Sequence, residues 1–197
     1  MIAPAGFRSG WDRAMAAAED VKDRLRRAAA ALEAGGVPYA VIGGNAVAEW
    51  VGSVDQAAVR TTRDVDILLR RSDFEAAKVA MTAAGFIYRH AASIDMFLDG
   101  KGAKARDAVH VLYASEKVRP DALAASPDVS DAELSPGGFQ VIGFQELVTM
   151  KLTSYRDKDR THLRDMISVG LIYETWPSKF PPALGDRLQA VLDDPDG

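Results

Sequence analysis

The sequence predicts an α/β (α+β) protein: a small mixed sheet flanked by helices, with a helical C-terminal segment. Two observations carry that prediction. Short apolar runs of strand length alternate with Ala-, Leu- and Glu-rich runs of helix length, as in a sheet covered by helices. From Phe139 onward the pattern turns almost wholly helical. A chain of 197 residues suits one domain or one with a small appendage. The expected boundary lies before Phe139. It separates a core with an N-terminal helix, residues 1–138, from a C-terminal helical segment, residues 139–197.

The elements follow in order. "WDRAMAAAEDVKDRLRRAAAALEA", residues 11–34, reads as a helix with its stop at Gly35 and Gly36. "VPYAVIGG" is a short buried strand. "NAVAEWVGS" is a second helix with Asn45 in the N-cap position. "VDQAAVRTTR" is a polar connection into the strand "DVDILL". "SDFEAAKVAMTAAGF" is a helix capped by Ser72 or Asp73 and stopped at Gly85. "IYRHAASIDMFLD" and "DAVHVLYA" read as two strands around the turn "GKGAKAR". Residues 119–138, rich in Pro, Asp and Ser, read as a long surface loop. "FQVIG" is a short strand, and "FQELVTMKLTSYRDKDRTHLRDMISVGLI" is one long helix or two short ones. The tail is a Pro-marked turn, a short amphipathic helix and a frayed end.

Composition excludes several classes. There is no cysteine, so disulfides and cysteine metal sites are ruled out. No apolar run has the length of a membrane span. The N-terminus has no signal-peptide pattern, because charges interrupt it, and the default location is the cytoplasm. A formal net charge of −4 argues against a protein that coats nucleic acid non-specifically. The basic run "RLRR" at 24–27 reads as a solvated face. Trp11, Trp50 and Trp176 read as packing residues.

One feature resists a core reading. Asp64 and Asp66 stand two apart in an otherwise apolar strand, so their side chains share a face. Adjacent carboxylates raise each other's pKa unless a cation lies between them. Mg2+ is the usual resolution, held by one or two carboxylates and substrate phosphates. If the strand begins early, Thr62 and Arg60 extend the same stripe. Gly43 and Gly44 end a strand and open a helix, where backbone approaches closely and free N–H groups attract phosphate.

In this order and spacing, "VIGGNAV…RTTRDVDILL" resembles the nucleotidyltransferase (polymerase-β-like) superfamily, closely over residues 38–69 and loosely to 167. The resemblance implies a nucleotidyltransferase-like fold in which the C-terminal helical segment, residues 139–197, closes one side of a cleft. It implies metal-dependent transfer of a nucleoside monophosphate from a nucleoside triphosphate to a hydroxyl. Asp64 and Asp66 would bind Mg2+ or Mn2+. Gly43, Gly44, Asn45, Arg60 and Thr62 would hold the nucleotide. Downstream, "MKLTSYRDKDRTHLRD" is similar to the helical motif of abortive-infection type nucleotidyltransferase toxins, with Lys151, Arg156 and Asp159 in the matching places. Lys151 and Asp159 join the nucleotide-binding set on that basis. On one helix, Lys151, Tyr155, Asp159 and His162 would share a face.

The pattern departs at the third carboxylate, expected on "DAVHVLYA". His110 occupies the central position. Asp107 points to the other face of a regular strand, Glu116 lies beyond it, and Asp95 sits on the preceding strand. Two readings stay open. Either His110 or another acid completes the site, or the chain is a catalytically degenerate binding protein, a toxin–antitoxin-like interaction partner. The superfamily serves RNA ends such as tRNA, protein hydroxyls and small molecules, and the acceptor is left open among them.

Overall fold

A computed structural model describes residues 9–195 and 197 of the chain. The first eight residues of the stretch read as lacking a signal peptide lie outside the described residues, as does Asp196 in the frayed end.

The chain opens with helix α1 (Gly10–Ala34). Ser9 caps it: the Asp12 N–H donates to the Ser9 hydroxyl, and the Asp12 carboxylate accepts from the Ser9 N–H, each at 3.1 Å. The helix buries Val21, Leu25, Ala28 and Leu32, one stripe at helical spacing, and ends at Gly35. Strand β1 (Tyr39–Ile42) is buried throughout. It turns directly into α2 (Gly43–Gly52). After a polar loop come β2 (Val65–Leu69), α3 (Phe74–Ala83), β3 (Ile87–Ala91), β4 (Ile94–Leu98) and β5 (Val109–Tyr113). The remainder is β6 (Ala132–Leu134), β7 (Gln140–Ile142), α4 (Phe144–Ser154), α5 (Asp157–Ser168) and α6 (Pro182–Asp193).

The seven strands form one mixed sheet in the order β3-β4-β5-β2-β1-β7-β6. β2 runs antiparallel to β1 and parallel to β5. β1 and β7 are parallel, and both edges are antiparallel hairpins. The central strands are near-continuous apolar runs because helices cover them, so the core is built on Val41, Ile42, Val65, Ile67 and Leu68. Asp66 is the polar exception in β2.

Two expectations change. β6 lies inside the stretch read as loop, and pairs with β7 across the turn at residues 135–139. The boundary drawn before Phe139 therefore falls within a hairpin, and the C-terminal segment begins as a strand of the main sheet. Of the two readings of the C-terminal helical run, the structure has the two shorter helices, broken at Tyr155, whose φ is 48°. The run "RLRR" is not a solvated face. Arg24 is buried, donating to Asp99 and to the Arg63 carbonyl, and Arg27 reaches the same Asp99.

Trp50 and Trp176 pack as expected, whereas Trp11 is 77% exposed. Among the described residues no helix is long and apolar enough to cross a membrane.

Candidate active site

The site forms where β1 hands over to α2, opposite β2. Gly43 has φ 71°, a conformation that costs glycine little. A Cβ there would lie 2.0 Å from the Asp66 Oδ2, and a Cβ on Gly44 would lie 2.9 Å from the Thr62 Cβ. The two glycines thus bring backbone against Asp66 and Thr62 where a side chain would not fit. No side chain caps α2, so its first N–H groups lack the usual partner and face the site as donors. Asn45 is not the cap. The helix begins two residues earlier, and the Asn45 amide donates to the Asp64 carbonyl at 2.8 Å. It fixes the backbone that presents Asp64.

Asp64 stands one residue before β2, yet it still meets Asp66. The Thr62 hydroxyl donates to Asp64 Oδ1 at 2.7 Å. Burial pushes the Asp64 carboxyl up, but the Thr62 bond and the nearby charges of Lys158 and His110 bring it net below its ordinary value. The repulsion expected of an isolated pair is overcome by these groups.

His110 sits on β5 in direct register with Asp66. Its Nδ1 is 3.7 Å from Asp66 Oδ1, and its Nε2 is 2.9 Å from the Ala105 carbonyl. Asp66 raises the imidazole pKa, against the effect of burial. One ligand atom from each of Asp64, Asp66 and His110 lies within 4.8 Å of the others. Bonds of about 2.0–2.4 Å to a common cation span that distance. Asp107 precedes the strand beside Arg106. Asp95 is in register with Val111 rather than His110, so it leaves the opposite face, where Tyr88, His90 and Tyr113 converge on it. Glu116 pairs with Arg71.

α4 and α5 supply the cations. The last carbonyls of α4 accept from Arg187 of α6, at 2.6 Å for Leu152 and 3.1 Å for Thr153. The chain then turns at Tyr155 and starts α5. Asp159, in the first turn of α5, is fully buried. It accepts from Ser154 at 2.7 Å, from Arg156 at 2.7 Å and from Lys151 at 3.4 Å. The face expected on one continuous helix does not exist. Lys151 and Asp159 meet because the chain folds back. Burial holds the Lys151 ammonium below its ordinary pKa, while the charges of Asp159 and Asp66 oppose that shift.

Arg60 does not continue a strand stripe toward Asp64. Its Nε donates to Asp165 of α5 at 2.8 Å. The exposed Lys158, absent from the sequence reading, acts electrostatically on Asp64, Lys151 and His162 instead. His162 is half-buried, with Nδ1 unpartnered, and desolvation with the Lys151 charge lowers its pKa to about 4. A cavity of about 340 Å³ opens beside the cluster between α1 and α2, with Asn45, Glu49, Arg60 and Thr62 in its wall. It adjoins the carboxylates rather than containing them.

Known structures share this architecture. An antigenic nucleotidyltransferase-like protein from Paracoccidioides brasiliensis superposes with a TM-score of 0.56 at 16% identity, covering 90% of each chain. The antibiotic-resistance factor ANT(2'')-Ia superposes with a TM-score of 0.51 at 11% identity, covering 89% of this chain and 84% of that one. At these identities the likeness is one of fold. A search of the curated proteins found no match. A family model described as "Uncharacterised nucleotidyltransferase" matches residues 4–141, the span that carries the glycine pair, both aspartates and His110. On that match the chain belongs to this nucleotidyltransferase family.

Proposed function

We propose that the protein is a metal-dependent nucleotidyltransferase that moves a nucleoside monophosphate from a nucleoside triphosphate to a hydroxyl acceptor. The observation that carries this reading is the convergence of Asp64, Asp66 and His110 within 4.8 Å, with Asp66 directly against the backbone of Gly43. Asp64 and Asp66 hold a divalent cation, Mg2+ or Mn2+, with His110 as the third member of the site. When bound, such an ion polarises phosphoryl oxygens and neutralises charge on the leaving phosphates.

The chain's own residues do the rest. The N–H groups at the start of α2 orient the triphosphate. Thr62 fixes the rotamer of Asp64 by its 2.7 Å hydrogen bond. Lys151 offers charge to the pyrophosphate that leaves, joined by the exposed Lys158. Asp159 serves this set by positioning Lys151 rather than by touching the nucleotide. Arg60, tied to Asp165, lines the adjoining cavity, whose volume suits a nucleoside-sized ligand. The ion-paired group of Lys151, Arg156 and Asp159 supports the abortive-infection toxin likeness as part of this reading. The acceptor is an RNA end, a protein hydroxyl or a small molecule.

A second reading follows from His110 standing where the third carboxylate is expected: a binding protein on the same fold, acting as a toxin–antitoxin-like partner without turnover. A label-transfer assay separates the two. Purified protein is incubated with each α-labelled nucleoside triphosphate, Mg2+ or Mn2+, and total RNA or cell lysate. Transfer of label to RNA, protein or a small molecule, abolished by the double substitution Asp64→Asn/Asp66→Asn with the fold retained, is the expected result. No transfer with any nucleotide, while thermal shift still reports nucleotide binding, would favour the second reading.

A further inference from the structure

The third position of the cluster is a nitrogen, and that fact selects the ion. We propose that Asp64, Asp66 and His110 form a mixed oxygen–nitrogen centre for a divalent first-row transition ion, bound through the His110 Nδ1, and that the centre discriminates against Mg2+. The proposal rests on the metal-dependent reading above and goes beyond it in naming the ligand atom and the class of ion.

Three features lead there. First, the parallel register pairs Asp66 with His110, and buried Val109 and Val111 on either side pin that register. Second, the Ala105 carbonyl can only accept, so the 2.9 Å contact assigns the proton of a neutral His110 to Nε2. The lone pair then sits on Nδ1, which faces Asp66 Oδ1 at 3.7 Å. That distance is too long for a good hydrogen bond and suits two ligands of a common ion. A ligating histidine with its other N–H held by a backbone carbonyl is the usual support of a metal-bound imidazole. Third, the acids nearest in sequence are engaged elsewhere: Asp95 by Tyr88, His90 and Tyr113, and Glu116 by Arg71. Asp107 lies beside Arg106 before the strand begins. Among the described residues the group of three is Asp64, Asp66 and His110. Mg2+ demands oxygen ligands in near-ideal octahedral array, whereas transition ions accept imidazole readily.

The test uses the full chain without nucleotide and Mn2+ as a paramagnetic probe. Mn2+ affinity is titrated by electron paramagnetic resonance, and Mg2+ affinity by competition, in the native protein and in His110→Asp. Electron spin-echo modulation reads whether nitrogen is bound to the ion. The expected result is 14N modulation from the native protein that changes on 15N-histidine labelling. The preference for Mn2+ over Mg2+ should fall by about tenfold or more in His110→Asp. Mn2+ binding without nitrogen modulation, an unchanged preference in the variant, or no Mn2+ binding would overturn the proposal. If the variant does not fold, the native spectrum decides alone. Nitrogen-bound Mn2+ without label transfer would remove the transferase and leave this centre. Label transfer with no nitrogen coupling would do the reverse.

Discussion

At the scale of single residues, Gly43 does two separable things. Its φ of 71° and the 2.0 Å that would separate an added Cβ from Asp66 Oδ2 are independent demands for glycine. Gly36 shares the first demand, with φ 65°, but has nothing within 4 Å. Gly36→Ala should therefore cost about 1–3 kcal/mol of strain and leave transfer activity intact. Gly43→Ala should cost at least as much in denaturant unfolding and also abolish transfer, since Asp66 must swing away. Equal activity in the two variants would sink the assignment. The glycine pair and the aspartate pair were legible in the sequence because their chemistry is local. The roles of Arg60 and Asn45 were not. Each depended on where β2 and α2 begin, and one or two residues there reassign a side chain to another partner.

At the scale of elements, the break at Tyr155 determines the cationic half of the site. A tyrosine at φ 48° carries no signature in the sequence. The break is stabilised from outside, by Arg187 on the last carbonyls of α4 and by the Tyr155 hydroxyl donating to the Arg187 carbonyl at 3.0 Å. That is why Lys158 has no mark in the sequence: in a run of alternating charges, only the turn of the chain brings it near Asp64. Asp159 joins the two helices. Asp159→Ala should destabilise the protein by about 3 kcal/mol, because it removes the hydrogen-bonded counter-charge of the buried Lys151. Asp157→Ala, at the start of α5 and exposed in its pair with Arg160, should stay within about 0.5 kcal/mol. Urea midpoints of the two variants make the comparison. β6 is hidden for a related reason: three residues in a Pro-rich stretch show no periodicity, and pairing with β7 makes them a strand.

At the scale of the whole molecule, pH separates the buried groups. His162 has a folded pKa of about 4 against an ordinary 6.5, so the unfolded chain holds more protons between those values. Stability should therefore fall as pH drops from about 6.5 toward 4. His110 is shifted upward. It adds stability that is complete below its unfolded value and lost as pH rises through the folded one, a window above 6.5. Asp64, Asp95 and Asp159 are shifted downward, and their contributions are lost only below the His162 window. Thermal melting of the native protein and His162→Gln between about pH 7 and 4 should show the variant losing less. Parallel curves would place the acid sensitivity elsewhere. The mixed sheet with flanking helices was readable from alternating patterns along the chain. Strand order was not, since pairing of β7 with β1 and of β5 with β2 leaves no local mark.

The register of β2 against β5 also bears on how the molecule is made. Asp66 and His110 are joined by a crossover that includes α3, β3 and β4, and they meet only when that whole crossover has closed. Such long-range parallel pairing is slow, because loop closure precedes any compensating contact. The three clustered side chains should thus come together late, after the β3–β4 hairpin has formed locally. An ion that binds them has little to grip in the early chain. It acts as a latch on the finished sheet, slowing its opening rather than hastening its assembly.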